Sequence, residues 1–414
     1  MKLCDVVQFY SPLGGGVRRY LEDKMRYLSE RPEIAHTVIV PSHRNAVVTN
    51  LESKMFEVRS LRLIGSISYR MLLNRPRMLS IIDQERPDLI EVGDPYRSAW
   101  ITLEAAQRHR IPVAAFYHSD FPRALGRTIR RFCSPAIERM LSNAVQRYIV
   151  NLYNRMSVTV VASRHLQRVL MDCGIQRVVC IPLGTNVSVF APNPGGVEIR
   201  KNLGIAANDV LLLYVGRLAR EKNIRSLVGM MDELDRQPIA HRPVHLLMVG
   251  DGELREYVKK EVAQRRNILW HQYCTSSEAL TAYYSAADLY VHAGTYETFG
   301  ITSLEAQACG TRVLAVRGGG LDESVMGEPN SVMADSSNPA DLARGVLQSM
   351  RVEPFASKED RRQRIVNRFS IQMTFHRLFA LYEHILEKRP VDEYVYPDES
   401  LQEDEYRYST LLTR

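Results

Sequence analysis

Two glutamates, Glu297 and Glu305, stand with seven residues between them in the stretch Y-E-T-F-G-I-T-S-L-E-A-Q-A-C-G-T-R-V-L-A-V-R-G-G-G. Gly300 breaks the periodicity, so a helix is predicted to begin near Ile301 or Thr302. Glu297 then lies in the loop ahead of it, and Glu305 about one turn, on the order of 5 Å, inside. The first N–H groups of a helix lack intrahelical partners, so the end formed by Thr298, Phe299, Gly300 and Ile301 is a ready anion site. A diphosphate seated there would have a carboxylate on each side, and a carboxylate accepts paired hydrogen bonds from sugar hydroxyls well. A hexose–diphosphate–ribose ligand has that layout. Singly, either glutamate would more often be structural, favoured by the helix dipole alone; the combination points to function.

Further groups of the right chemistry follow other apolar runs. After L-L-L-Y-V comes G-R-L-A-R-E-K-N, with Gly216, Arg217 and Lys222. Arginine offers a planar fork to phosphate oxygens and lysine a compact charge, so the two could neutralise a departing diphosphate. Gly250 follows H-L-L-M-V in a turn that should border the same cleft; a bare tight turn explains its neighbour Asp251 equally well. Gly14, Gly15 and Gly16 follow the first strand and let backbone amides approach a phosphate or sugar, although the full G-x-G-x-x-G fingerprint is absent. His118 opens H-S-D-F-P at the end of V-A-A-F-Y, placed either to touch a ligand or to cap the strand. Asp94, Tyr96 and Asp120 are candidates for the acceptor side.

These residues need a scaffold that brings strand ends together. Apolar runs alternate with helical patterns: L3–F9, T37–V40, L89–V92, V113–Y117, V158–A162 and V178–I181, then V210–V215, H245–V249, N267–W270, L289–H292 and V313–V316. Continuous apolarity means strands buried on both faces, hence parallel sheets in an α/β chain with doubly wound, Rossmann-like domains. A length of 414 residues suits two domains. The Pro-, Gly- and Asn-rich stretch 182–196 separates residues 1–187 from 188–368. Residues 369–390 carry another helical pattern, and 391–414 an acidic, flexible tail.

The Glu-x7-Glu segment with T-F-G, L-E-A-x-A-C-G and G-G-G resembles the C-terminal signature of the retaining glycosyltransferases of family 4, and G-R-L-x-x-E-K-N resembles their donor-phosphate motif. The resemblance extends from Tyr10–Gly16 to the helix ending near Leu386. It implies the GT-B architecture, two Rossmann-like doubly wound parallel-sheet domains facing a cleft, with residues 369–390 crossing back to the N-terminal domain. It implies transfer of a hexose from a nucleoside-diphosphate sugar, GDP-mannose or a UDP-sugar, to an acceptor hydroxyl with retention. Glu297 would orient the sugar, Glu305 the ribose, and Arg217, Lys222 and the Ile301 helix terminus the leaving diphosphate. Gly15 and Gly16 would lie near donor phosphate and acceptor, and His118 near a sugar hydroxyl or the acceptor. No Asp-x-Asp pair is present, so no metal and no cofactor is expected. Tyr273 and Cys274 stand where relatives usually have Phe-x-Gly, and H-A-G-T-Y where many have Pro-Ser, which leaves the base open. Two other enzymes on such a scaffold, a non-hydrolysing sugar-nucleotide epimerase and a phosphorylase, stay open, as does a catalytically silent nucleotide-sugar-binding protein.

Composition narrows the setting. Hydrophobic residues make up 45% and charged residues 24%, the balance of a soluble globular chain, and no apolar run is long enough to span a bilayer. The first residues read as a buried strand rather than a signal peptide. Six cysteines without C-x-x-C spacing suggest reduced thiols, so a cytoplasmic setting is expected. Between Phe121 and Arg168 nine arginines face one acid, Glu138. Without interleaved aromatics this is no nucleic-acid motif; an anionic membrane surface with a lipid-linked or glycan acceptor is favoured over a solvated face.

Overall fold

The computed structural model describes residues 1–10, 16–63, 69–118, 134–237, 242–272, 274, 276–295, 297–325, 331–351 and 357–394. Gly14, Gly15, Asp120, Tyr273, all four arginines between 121 and 133, and the tail beyond 394 lie outside them.

Each apolar run expected as a strand forms one. The N-terminal sheet holds β1 (Lys2–Val6), β2 (Ala35–Ser42), β3 (Ala46–Asn50), β4 (Ser53–Arg59), β7 (Leu89–Val92), β8 (Val113–Phe116), β9 (Val158–Val161) and β10 (Val178–Cys180), in the order β10-β9-β8-β7-β1-β2-β4-β3. A separate ribbon pairs β5 (Leu61–Arg62) with β6 (Arg70–Met71). The second sheet runs β13 (Ile268–His271), β12 (Val244–Val249), β11 (Val210–Val215), β14 (Leu289–His292), β15 (Arg312–Val316), β16 (Val332–Ala334), with every pair parallel. In each sheet the chain order reverses beside one strand, between β1 and β7 and between β11 and β14. Crevices open at the carboxyl ends of strands at such switch points.

Wholly parallel sheets were the expectation; β3 departs from it, pairing antiparallel with β4. Its turn residues Leu51 and Glu52 adopt φ of 45° and 66°, a hairpin conformation usually announced by Asn-Gly or Asp-Gly, and this sequence carries neither. β3 is also mostly solvated, so it lacks the continuous apolar run of a central strand.

The chain crosses between the domains twice, side by side. Thr185 N donates to Phe369 O at 2.8 Å and Ile371 N to Thr185 O at 2.9 Å. The Ile371–Leu386 helix then packs on the N-terminal domain, with Phe375 against Tyr20 and Tyr27, and Phe379 stacked on Tyr27. Its Tyr382 hydroxyl donates to Glu91, which also receives the fully buried Lys24 ammonium at 2.7 Å; Lys24 reaches Asp5 at 2.9 Å. Two carboxylates sharing one buried cation, with further donors around them, satisfy charges that would otherwise be costly to bury. No helix among the described residues is long and apolar enough to cross a membrane.

Candidate active site

The helix after β14 runs Ile301–Ala308, where the sequence placed it, with Gly300 as its left-handed cap at φ 87°. A Cβ on Gly300 would lie 2.4 Å from Leu321 Cδ2, so both conformation and space demand glycine. The glycine run after β15 explains itself by contact: a Cβ on Gly320 would stand 2.1 Å from Thr298 O, and Gly320 N donates to Glu297 O at 3.1 Å. The glycine loop thus clamps the backbone of the Glu297–Thr298 turn.

Glu297 meets Lys222, which arrives from the 3-10 turn Arg220–Lys222 after β11, and His292 at the end of β14, whose Nε2 lies 3.1 Å from Glu297 Oε1. Burial alone would raise the Glu297 carboxyl, but the Lys222 ammonium and the His292 contact outweigh it and hold it well below the usual carboxylate range. Its side chain keeps 16% exposure, enough to meet a ligand. Asn223, left-handed at φ 53°, fixes the turn by donating Nδ2 to Ala293 O at 2.8 Å.

Glu305 differs. It is fully buried, with Oε1 receiving Arg19 Nη1 from the N-terminal domain and Oε2 receiving the Tyr284 hydroxyl at 2.7 Å. Arg217 stays apart from this cluster, 65% exposed and paired with Glu221 at 3.0 Å. Gly250 has a packing reason: a Cβ there would sit 1.9 Å from Gly216 O, where the turns after β11 and β12 touch.

Across the cleft, His118 stacks on Phe116 at 4.5 Å and meets the Tyr20 ring edge-on at 4.8 Å. Burial, reinforced by the Lys24 charge, pushes its imidazole down to about 3, so it is neutral at ordinary pH. Thr298 Oγ1 donates to His118 O at 3.4 Å, which brings the two halves of the site together. Glu323 makes another bridge, accepting the backbone N–H groups of Arg164 and His165 at 2.8 Å each. Asp94 was placed on the acceptor side, yet it is buried and faces inward, accepting Gln8 N at 2.9 Å and Ser98 Oγ at 3.1 Å. Tyr96 is half-buried beside Phe9. Gly16 opens the first helix with open space around it.

The sequence reading overlooked Arg19, His292, Tyr284 and Glu323. Only His292 left a signal, a polar residue ending an apolar strand at the switch point; the others are defined by contacts between distant segments.

Facing Rossmann-like domains with this constellation at the switch-point ends define a glycosyltransferase of the GT-B architecture. Residues 14–189 match the model described as Glycosyltransferase Family 4, and residues 197–368 that described as Glycosyl transferases group 1. The chain belongs to glycosyltransferase family 4. It is 27% identical over 340 residues to a GDP-mannose-dependent alpha-mannosyltransferase of Corynebacterium glutamicum, covering 81% of this chain and 77% of that one. It is 24% identical over 355 residues to a GDP-mannose-dependent alpha-(1-6)-phosphatidylinositol dimannoside mannosyltransferase of Mycobacterium tuberculosis, covering 84% and 87%. Sucrose-phosphate synthase of Thermosynechococcus elongatus shares the fold at a TM-score of 0.73 with 20% identity, covering 94% of this chain and 100% of that one.

Proposed function

We propose that the protein transfers a hexose from a nucleoside-diphosphate sugar to an acceptor hydroxyl with retention of anomeric configuration, and that GDP-mannose is the donor, ahead of a UDP-sugar. The observation that carries this reading is the ionised Glu297, held by Lys222 and His292 directly ahead of the glycine-capped Ile301 helix. The names of two relatives support the choice of GDP-mannose.

The chemistry must stabilise positive charge at the anomeric carbon and negative charge on the departing diphosphate. Lys222, Arg217 and the helix terminus serve the second need without a metal ion. Glu297 orients the hexose hydroxyls. The bond from the anomeric carbon to the diphosphate breaks as the acceptor oxygen bonds to that carbon, and the acceptor proton passes to the leaving phosphate oxygen. His118, neutral, accepts or donates a hydrogen bond at a sugar or acceptor hydroxyl without competing charge. Glu305 meets the ribose once Arg19 yields its place.

The protein works in the cytoplasm as a peripheral protein at an anionic membrane face, on a lipid-linked or membrane-associated glycan acceptor. Support comes from the Pro135–Tyr153 helix, which carries Arg139 and Arg147 and leaves Ile137 45% and Met140 64% exposed.

A donor screen tests the reading: thermal shift and nucleotide release with GDP-mannose and UDP-, GDP- and ADP-sugars, with and without EDTA. Stabilisation by one donor with slow, EDTA-insensitive release of its diphosphate is expected, lost in Glu297→Ala. Binding without release in any acceptor extract would favour a nucleotide-sugar-binding protein; net isomerisation of the sugar nucleotide would favour an epimerase. Failure of phosphatidylserine-rich liposomes to sediment the protein at low salt would remove the membrane component.

A further inference from the structure

Both ring nitrogens of His292 are engaged, and the chemistry of the two partners fixes where its proton lies. His292 ends β14 and is 3% exposed. Gly294 N lies 3.2 Å from its Nδ1, and its Nε2 lies 3.1 Å from Glu297 Oε1. A backbone N–H can only donate, so Nδ1 accepts that bond and carries no proton. The proton is on Nε2 and points at the carboxylate, a tautomer assigned by the bond at the other nitrogen.

The backbone that sets the tautomer is also shaped to the ring. A Cβ on Gly294 would stand 2.8 Å from His292 Cε1, so any side chain there displaces the imidazole. His292 and Gly294 therefore form one unit, which gives a physical reason for H-A-G-T-Y where many relatives have Pro-Ser.

This unit holds Glu297 unevenly. Oε1 takes both the Lys222 ammonium and the His292 Nε2–H, whereas Oε2 accepts no hydrogen bond from a described residue. The two donors differ in freedom. Lys222 is 21% exposed on a flexible stem, while the imidazole is buried and tied to the backbone.

We propose that His292 is a positioning residue for the donor sugar: with its tautomer set by Gly294, it keeps Glu297 turned so that Oε2 meets the hexose hydroxyls after Lys222 has swung to the diphosphate. This rests on the transferase reading above. Lys222 is asked to serve two anions in turn, Glu297 in the free protein and the diphosphate in the complex. Once it moves, the imidazole bond is the one left to hold the carboxylate. A neutral ring does this without placing a second cation beside the positive charge that develops at the anomeric carbon.

The test uses the full chain with GDP-mannose, UDP-glucose, GDP and UDP as probes. His292→Leu removes the donor, His292→Gln returns an amide N–H near the place of Nε2, and Gly294→Ala pushes on the ring. Nitrogen-15 NMR of the histidine rings, with the His292 signal identified by its loss in His292→Gln, should show a proton on Nε2 alone. His292→Leu should weaken the sugar nucleotide about tenfold and leave its free diphosphate unchanged, and His292→Gln should recover most of that loss. Gly294→Ala should lower the melting temperature of the wild type and do almost nothing in His292→Leu, where no ring remains to displace. If His292→Leu fails to fold, the tautomer and His292→Gln decide. A proton on Nδ1, equal weakening of sugar nucleotide and diphosphate, no recovery in His292→Gln, or an additive Gly294→Ala would overturn the proposal. The expected tautomer and non-additivity in a protein that none of the four probes binds would sink the donor reading instead, and leave His292 as the residue that orients Glu297.

Discussion

Arg19, in the first turn of the N-terminal Gly16–Ser29 helix, reaches across the cleft and pairs with Glu305, whose side chain is fully buried in the other domain. The carboxylate expected to meet a ribose therefore already has both oxygens engaged by protein, one by Arg19 and one by Tyr284. On the ribose-binding role proposed for Glu305, nucleotide entry is coupled to loss of this interdomain pair. Arg19→Ala should cost about 1–3 kcal/mol, short of a fully enclosed pair because Arg19 is 30% exposed. Adding Glu305→Gln should recover part of the loss, since the neutral amide needs no cation. Urea unfolding of the two variants checks this; a neutral Arg19→Ala would show that the pair carries no stability.

Glu297→Gln should lower kcat by about 10²-fold, the scale of loss when a reacting group is misplaced by about 1 Å, with nucleotide affinity within a few-fold. The stability effect has a definite sign. The folded carboxyl lies well below its ordinary value, so its contribution is present above about pH 4.3 and disappears only as pH falls through the depressed value. The difference in melting temperature between wild type and variant should be largest near neutrality and shrink in acid.

His118 behaves oppositely in charge and alike in direction. Its folded value, about 3, lies below the unfolded value near 6.5. Between these the unfolded chain binds the extra proton, so stability falls as pH drops from about 6.5 toward 3. His118→Phe, which preserves the stack on Phe116, should remove that component. A melting-temperature series from pH 7.5 to 4 in both proteins reads it directly; parallel curves would place the ring in water.

Asp94 titrates the other way. Burial raises it to about 7 despite the bonds from Gln8, Ser98 and Tyr96, so its favourable contribution is complete below about pH 3.9 and is lost as pH rises through 7. Asp94→Asn keeps an acceptor for Gln8 N and puts an amide N–H toward Ser98 Oγ, which now donates to Asp94 and can accept instead. It should stabilise the fold at pH 8 more than at pH 5, and a reversed order would place an ionised, well-solvated carboxylate there.

Gly300→Ala should destabilise by about 1–3 kcal/mol, through the left-handed backbone and the clash with Leu321. Because the residue caps the Ile301 helix, donor binding should weaken in the same variant. A thermal-shift titration with GDP separates the two effects: unchanged affinity would mean that the helix end does not hold the phosphate.

The parts legible in the linear chain are those governed by near neighbours. Continuous apolar runs marked the parallel strands, since a strand buried on both faces needs no polar alternation. Gly300 marked the start of the Ile301–Ala308 helix, and the spacing of Glu297 and Glu305 placed one carboxylate before that start and one inside it. The β3–β4 hairpin escaped because Leu51 and Glu52 take a conformation their side chains do not advertise. Tertiary structure alone decided the partners. Glu297 faces Lys222 and His292, Glu305 faces Arg19, and Asp94 turns inward to Gln8, because the ends of β1, β7, β11 and β14 converge at two switch points. Charge and burial depend on distances between segments far apart in sequence. Residue types and spacing therefore established what chemistry was on hand, and the packing of two sheets determined which groups face the cleft and which meet each other.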